Sequence, residues 1–196
     1  RLFPFGAGES AYRLLRRTKI LAEMFPEIDA FLDHGGRETR LFWAHLGGLD
    51  AHTATEGNAA PPALLFAVLT YAPLLEAVRR EGIDSGSHVP IARQVLDPIS
   101  TRFRMPKRIY YGAIQVLDGQ RRFNAQGQRF SKQRFVTQEN FPHLLALREI
   151  HLKASGGNCR ELEEWRALYR EHGSQATVKK KAHRRRRQRR GRRRAP

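Results

Sequence analysis

A chain of 196 residues with 40% hydrophobic side chains is long enough to fill one core, and its net charge of +17 points to a polyanionic partner. Twelve of the 36 Lys and Arg residues fall between 179 and 194, where no acid occurs, leaving 24 basic against 19 acidic residues elsewhere. The single cysteine, Cys159, excludes an internal disulfide and fits a reducing compartment, and the scattered histidines show no metal-ligand spacing.

The chain opens at Arg1 without a charged-then-apolar leader and is expected to be a fragment whose front has been removed. Ser10 is placed to cap a helix with Leu14, Leu15, Thr18, Leu21, Ala22 and Phe25 on one face. Pro26 ends it and starts a short helix through Leu32, closed by Gly35 and Gly36. Leu41, Phe42, His45, Leu46 and Leu49 make the next face. From Ala59 to Val78 the chain is nearly apolar for 20 residues, about the length that spans a bilayer. Two prolines open that stretch, Pro73 interrupts it and Glu76 lies near its end, so the spacing predicts a central core helix from Pro61 to Arg80, stopped at Gly82.

Val89, Ala92, Val95, Leu96, Ile99 and Phe103 form another stripe, with a kink expected at Pro98. Pro106 starts a helix carrying Ile109, Tyr110, Ala113, Val116 and Leu117. A polar, basic stretch covers 120–138. Phe141, Leu144, Leu145 and Arg148 begin a further helix, and Leu162, Trp165, Leu168 and Tyr169 mark the last. Beyond Gly173 no apolar periodicity remains. The expected fold is all-α: a multi-helix bundle of about eight helices over 1–173, followed by a disordered Arg/Lys-rich tail over 174–196.

Three basic clusters suggest nucleic-acid binding. In the tail, Lys179, Lys180, Lys181, Arg184, Arg185, Arg186 and Arg187 begin a run that repels itself in water. Such a run displaces condensed counterions from RNA or DNA, giving salt-sensitive, sequence-blind binding. It carries no large apolar residues to enter a membrane. In the body, Arg102, Arg104, Lys107 and Arg108 surround Pro106. Cations in the first turn of a helix oppose its dipole, so their presence there suggests a phosphate held nearby. The third cluster, Arg121, Arg122, Arg129, Lys132 and Arg134, is interleaved with Phe123, Phe130 and Phe135. Such mixtures can stack bases between phosphate contacts, but the spacing also places most rings inward and the arginines outward.

Catalytic signals are lacking. Metal-dependent nucleotidyl transfer needs paired carboxylates, and the sequence contains no Asp-x-Asp. Glu161, Glu163 and Glu164 lie on an amphipathic helix beside Trp165, and no serine sits in a nucleophile-elbow pattern.

Taken in order, several segments resemble the C-terminal half of the bacterial poly(A) polymerases, relatives of the tRNA CCA-adding enzymes. Leu2-Phe3, Gly6-Ala7-Gly8 and Tyr12 through Leu15, then Met24-Phe25-Pro26, are similar to the segment that follows the family's catalytic and nucleotide-binding regions. Pro61 through Ala67, with Tyr71 and Pro73 through Glu76, is similar to its long apolar helix. Met105-Pro106-Lys107-Arg108 resembles its Pro-Lys-Arg element, and Phe141, Leu145 through Arg148, Leu162 and Trp165 follow the order of its last helices. The basic tail ending at Pro196 also fits. Gln138 through His143 stands where the family often has a His-Pro-x-Phe-Arg run, and the Gly-Ser and Asp-x-Asp head has no counterpart.

The resemblance implies an RNA-gripping portion of a cytoplasmic enzyme that adds adenylates to single-stranded RNA 3′ ends, using ATP and a divalent metal such as magnesium in a catalytic head that this chain lacks. By that reading the chain alone is not an enzyme and carries no cofactor. A CCA-adding enzyme fragment and a non-enzymatic protein of ribosomal RNA or nucleoid DNA are the other expectations, the latter resting on the tail alone.

Overall fold

The computed structural model describes residues 6–82, 86–123 and 130–173. Among these residues it has ten α-helices, eight of them at least seven residues long, and no strand. They are α1 (Gly8–Arg17), α2 (Ile20–Met24), α3 (Pro26–Asp33), α4 (Gly36–Glu56), α5 (Pro62–Glu81), α6 (Val89–Arg102), α7 (Lys107–Gly119), α8 (Lys132–Val136), α9 (Phe141–Ser155) and α10 (161–173). A 3₁₀ turn, Gln120–Phe123, extends α7.

The bundle is built around α5. This helix has membrane-spanning length and apolarity, yet it packs against α4, α6, α7 and α9. Leu64, Ala67, Val68, Leu69, Ala72 and Leu74 are all at most 1% exposed. Burying a leucine of this kind contributes about 2 kcal/mol. Pro61 and Pro62 start the helix in the geometry proline favours, and Gly82 ends it at φ 66°. The main apolar core joins α5 to Leu49 of α4, Ile91 and Leu96 of α6, Val116 and Leu117 of α7, and Leu147 and Ile150 of α9.

A second core lies at the amino-terminal end, where Tyr12, Leu21, Phe25, Ile28 and Phe42 meet Leu69 and Ile99. Here the structure corrects two sequence expectations. The single helix through Phe25 is broken: Thr18 caps α1 by donating its hydroxyl to the Leu14 and Leu15 carbonyls, and Lys19 sits at φ 59° before α2 begins. The left-handed residue costs roughly 1–2 kcal/mol. It turns Leu21 and Phe25 into the core while Leu14, nominally on the same stripe, stays 55% exposed.

Ser10 also does not cap α1, which starts two residues earlier. The first-turn amides of Gly8 and Glu9 instead donate to the Asp50 carboxylate of α4, at 2.7 and 2.9 Å. A carboxylate satisfies these orphan donors and complements the positive end of the helix dipole. Asp50→Ala is therefore expected to destabilise the fold by about 1–2 kcal/mol. Urea unfolding would measure this, and an unchanged midpoint would show that the cap contributes nothing.

A third cluster is rich in aromatic rings, packed with Val136 and Leu144. Phe123, Phe130, Phe135 and Phe141 surround Trp165, with ring centroids 5.3–6.4 Å from the indole. It fastens α8 and α10 onto α9.

Candidate nucleic-acid interface

The turn between α6 and α7 is set by local chemistry. Phe103 caps α6, with its amide bonded to the Ile99 carbonyl. Arg104 then takes φ 46°, a conformation rare for a side-chain-bearing residue. The Met105 amide bonds back to the Ser100 carbonyl at 2.9 Å, which closes the turn. Pro106 is extended and Lys107 starts α7. No side chain caps that end and its first turn holds no acid. The positive end of the α7 dipole therefore coincides with two exposed cations, Lys107 and Arg108.

The four cations expected here are not equivalent. Arg102 is committed to the protein: it pairs with both carboxylate oxygens of Glu27, at 2.9 and 2.6 Å. That bond is the leading reason the Glu27 carboxyl is held below its ordinary range. Arg102 is thus a clamp between α6 and α3. Arg108 is 91% exposed and only loosely joined to Glu139, at 3.3 Å. Arg104 and Lys107 have no acidic partner among the described residues.

Two aromatic rings missed by the sequence reading join this surface. Phe103 was expected in the core stripe of α6, but it is 39% exposed and stacks on Phe25 at 4.8 Å. The helix ends at Arg102, so the ring leaves the buried face. Tyr111 is 51% exposed and lies one turn beyond Lys107, on the same side of α7. Its sequence signal was its position outside the Ala113, Val116 and Leu117 stripe. Tyr110 beside it donates its hydroxyl to Asp97 at 2.5 Å.

In the third cluster the rings turn inward as expected. Phe135 is 1% exposed, and Phe123 and Phe130 pack half-buried beside it. Its cations are less free than expected. Arg121 pairs with Asp118 at 3.2 Å, Arg122 lies over the Phe135 ring at 5.2 Å, and Lys132 lies over Trp165 at 5.3 Å while 3.8 Å from Glu164. Arg122 and Lys132 follow the apolar cluster because aromatic faces attract cations, while Arg121 is held by a carboxylate. Arg134 is exposed on α8. Arg129 and the tail cations, Lys179 to Arg187, lie outside the described residues.

The arrangement can hold a phosphate backbone at Arg104, Lys107 and Arg108 and offer Tyr111 and Phe103 as flat faces. No family model, curated protein or solved structure matches this chain.

Proposed function

We propose that the helical body binds single-stranded RNA across the α6–α7 turn, and that the basic tail adds sequence-blind affinity. The observation that carries this reading is the exposed Tyr111 ring set one turn from Lys107, beside the unneutralised Arg104 and the nearly free Arg108. Cations alone suit any polyanion. Exposed aromatic faces among them favour unstacked bases, which a duplex does not offer.

In its fuller form, the reading follows the resemblance to the bacterial poly(A) polymerases. The chain would be the RNA-holding portion of a cytoplasmic polynucleotide adenylyltransferase, working with a separate head that supplies the carboxylates, ATP and metal. The order of the segments that resemble that family supports it. A CCA-adding enzyme fragment would share the same body chemistry.

The test is binding of oligo(A), a structured RNA and duplex DNA across a salt series, using the full chain. Converting Arg104, Lys107 and Arg108 together to Gln should weaken oligo(A) binding about tenfold or more. It should also reduce the salt slope by about 2, since each lost single-strand phosphate contact contributes roughly 0.7. If the triple variant binds unchanged and duplex competes equally, the body is a scaffold and the tail alone binds, as the non-enzymatic alternative requires.

A further inference from the structure

The patch read as an RNA surface continues from the α6–α7 turn along the two helices. Tyr110 and Tyr111 meet edge-on, with ring centroids 5.2 Å apart. The Tyr110 hydroxyl donates to Oδ1 of Asp97 on α6 at 2.5 Å. Burial pushes the Tyr110 phenol up to about 12, helped by Asp97 and Tyr111 and opposed by the charge of Arg93, so these four side chains meet at one spot. Arg93 lies one turn from Asp97, on the side away from the α6–α7 turn, and Lys107 lies one turn from Tyr111, on the side nearer to it. The two exposed cations therefore bracket the tyrosines and the carboxylate.

Asp97 is out of character with this surface. It is exposed, and among the described residues no cation pairs with it. A carboxylate repels a phosphate backbone, so it contributes nothing to sequence-blind binding. What it offers is a hydrogen-bond acceptor. The Tyr110 hydroxyl takes one oxygen and leaves Oδ2 open, beside the Tyr111 ring that is 51% exposed. The same hydroxyl holds the carboxylate in one orientation, and a locked orientation is what a recognition group needs.

Single-stranded bases differ in what they give such an acceptor. Adenine, cytosine and guanine carry an exocyclic amine that donates, whereas uracil presents two carbonyls around one ring N–H.

We propose that Asp97 reads the edge of a base stacked on Tyr111, accepting a hydrogen bond from its exocyclic amine, so that the surface favours adenine, cytosine or guanine over uracil. The proposal rests on the RNA-binding reading and gives it a base preference. Arg93 and Lys107 hold the phosphates on either side of that base. Tyr110 is a positioning residue, which acts on the base through Asp97.

The experiment titrates the full chain with labelled oligo(A), oligo(C) and oligo(U) of equal length, with duplex DNA as competitor. The salt concentration is set high enough to weaken the sequence-blind tail. Oligo(A) and oligo(C) should bind about tenfold more tightly than oligo(U). The comparison of oligo(C) with oligo(U) is decisive, since the two pyrimidines stack alike and differ at the amine. Asp97→Asn keeps a carbonyl for the Tyr110 hydroxyl and turns an N–H donor toward the base, so it should bring that ratio to about 1. Tyr110→Phe should also lower the ratio without changing the charge, and it replaces Asp97→Asn if circular dichroism shows that variant unfolded. If Asp97→Asn tightens all three strands equally, the carboxylate is only a repelling charge and the base assignment is overturned. Equal binding of the three strands by the native chain, with duplex DNA competing poorly, also overturns it while single-strand binding stands. Duplex DNA competing equally with every strand overturns the RNA-binding reading, and this proposal with it.

Discussion

Lowering the pH from 7 to 5 is expected to cost the fold about 4 kcal/mol, mostly through two buried histidines. His45 is fully buried on α4, with its Nε2 3.1 Å from Nδ1 of His151 on α9 and the ring of Tyr71 beside both. Burial, and then the neighbouring His151, push His45 down to about 3. Burial, and then the positive charges of Arg148 and Arg37, push His151 down to about 4. Both imidazoles are neutral in the folded chain at pH 5, whereas an unfolded histidine takes up protons below about 6.5. The stability they provide is complete above that value. It falls as the pH drops through 6.5, and the loss continues down to the folded values.

At pH 5 each group then contributes a loss of about 2 kcal/mol. His143, also held below its ordinary value by burial, acts in the same direction. The lowered carboxyls of Glu27 and Glu149 lose their protection only at more acid pH, so the window from 7 to 5 isolates the imidazoles. Urea unfolding at the two pH values measures the difference, and His151→Leu should remove about half of it. A pH-independent midpoint would mean that the histidines are solvated rather than enclosed.

Trp165→Ala should be as damaging, with a loss of about 3–5 kcal/mol. The indole lies among Phe123, Phe130, Phe135 and Phe141 and carries Lys132 on its face. Removing it leaves a cavity that four rigid rings cannot close. Since these rings, with the Arg148–Glu161 and Arg166–Glu149 ion pairs, join α8 and α10 to the rest of the bundle, amides in both helices should exchange faster than those of α5 in this variant. Trp165→Phe should recover much of the loss. A destabilisation below about 1 kcal/mol would show that the rings do not pack as a unit. Trp165→Ala should also displace Arg166 and Tyr169, its neighbours on α10.

Much of the helical order is readable from periodicity because one side of each helix must be apolar. Leu41, Phe42, His45, Leu46 and Leu49 all face inward on α4, and the apolar run after Pro61 is the central helix rather than a surface one. Proline and glycine punctuation places the starts and ends of α3 and α5 to within a residue or two. The position of the basic α6–α7 turn around Pro106 was likewise evident, since proline cannot sit inside either helix without losing a bond.

Other features depend on residues distant in sequence. The cap of α1 comes from Asp50, 42 residues away, so no local motif announces it. Which cations are free is also decided at long range: Arg102 is taken by Glu27, Arg122 and Lys132 by aromatic faces, and Arg104 by none. The sequence alone determined that the chain is helical, basic and strongly charged at its end, because period and composition are local properties. Only the tertiary structure decided which side chains remain available for a ligand, because a charge is committed or left free by whatever folds against it.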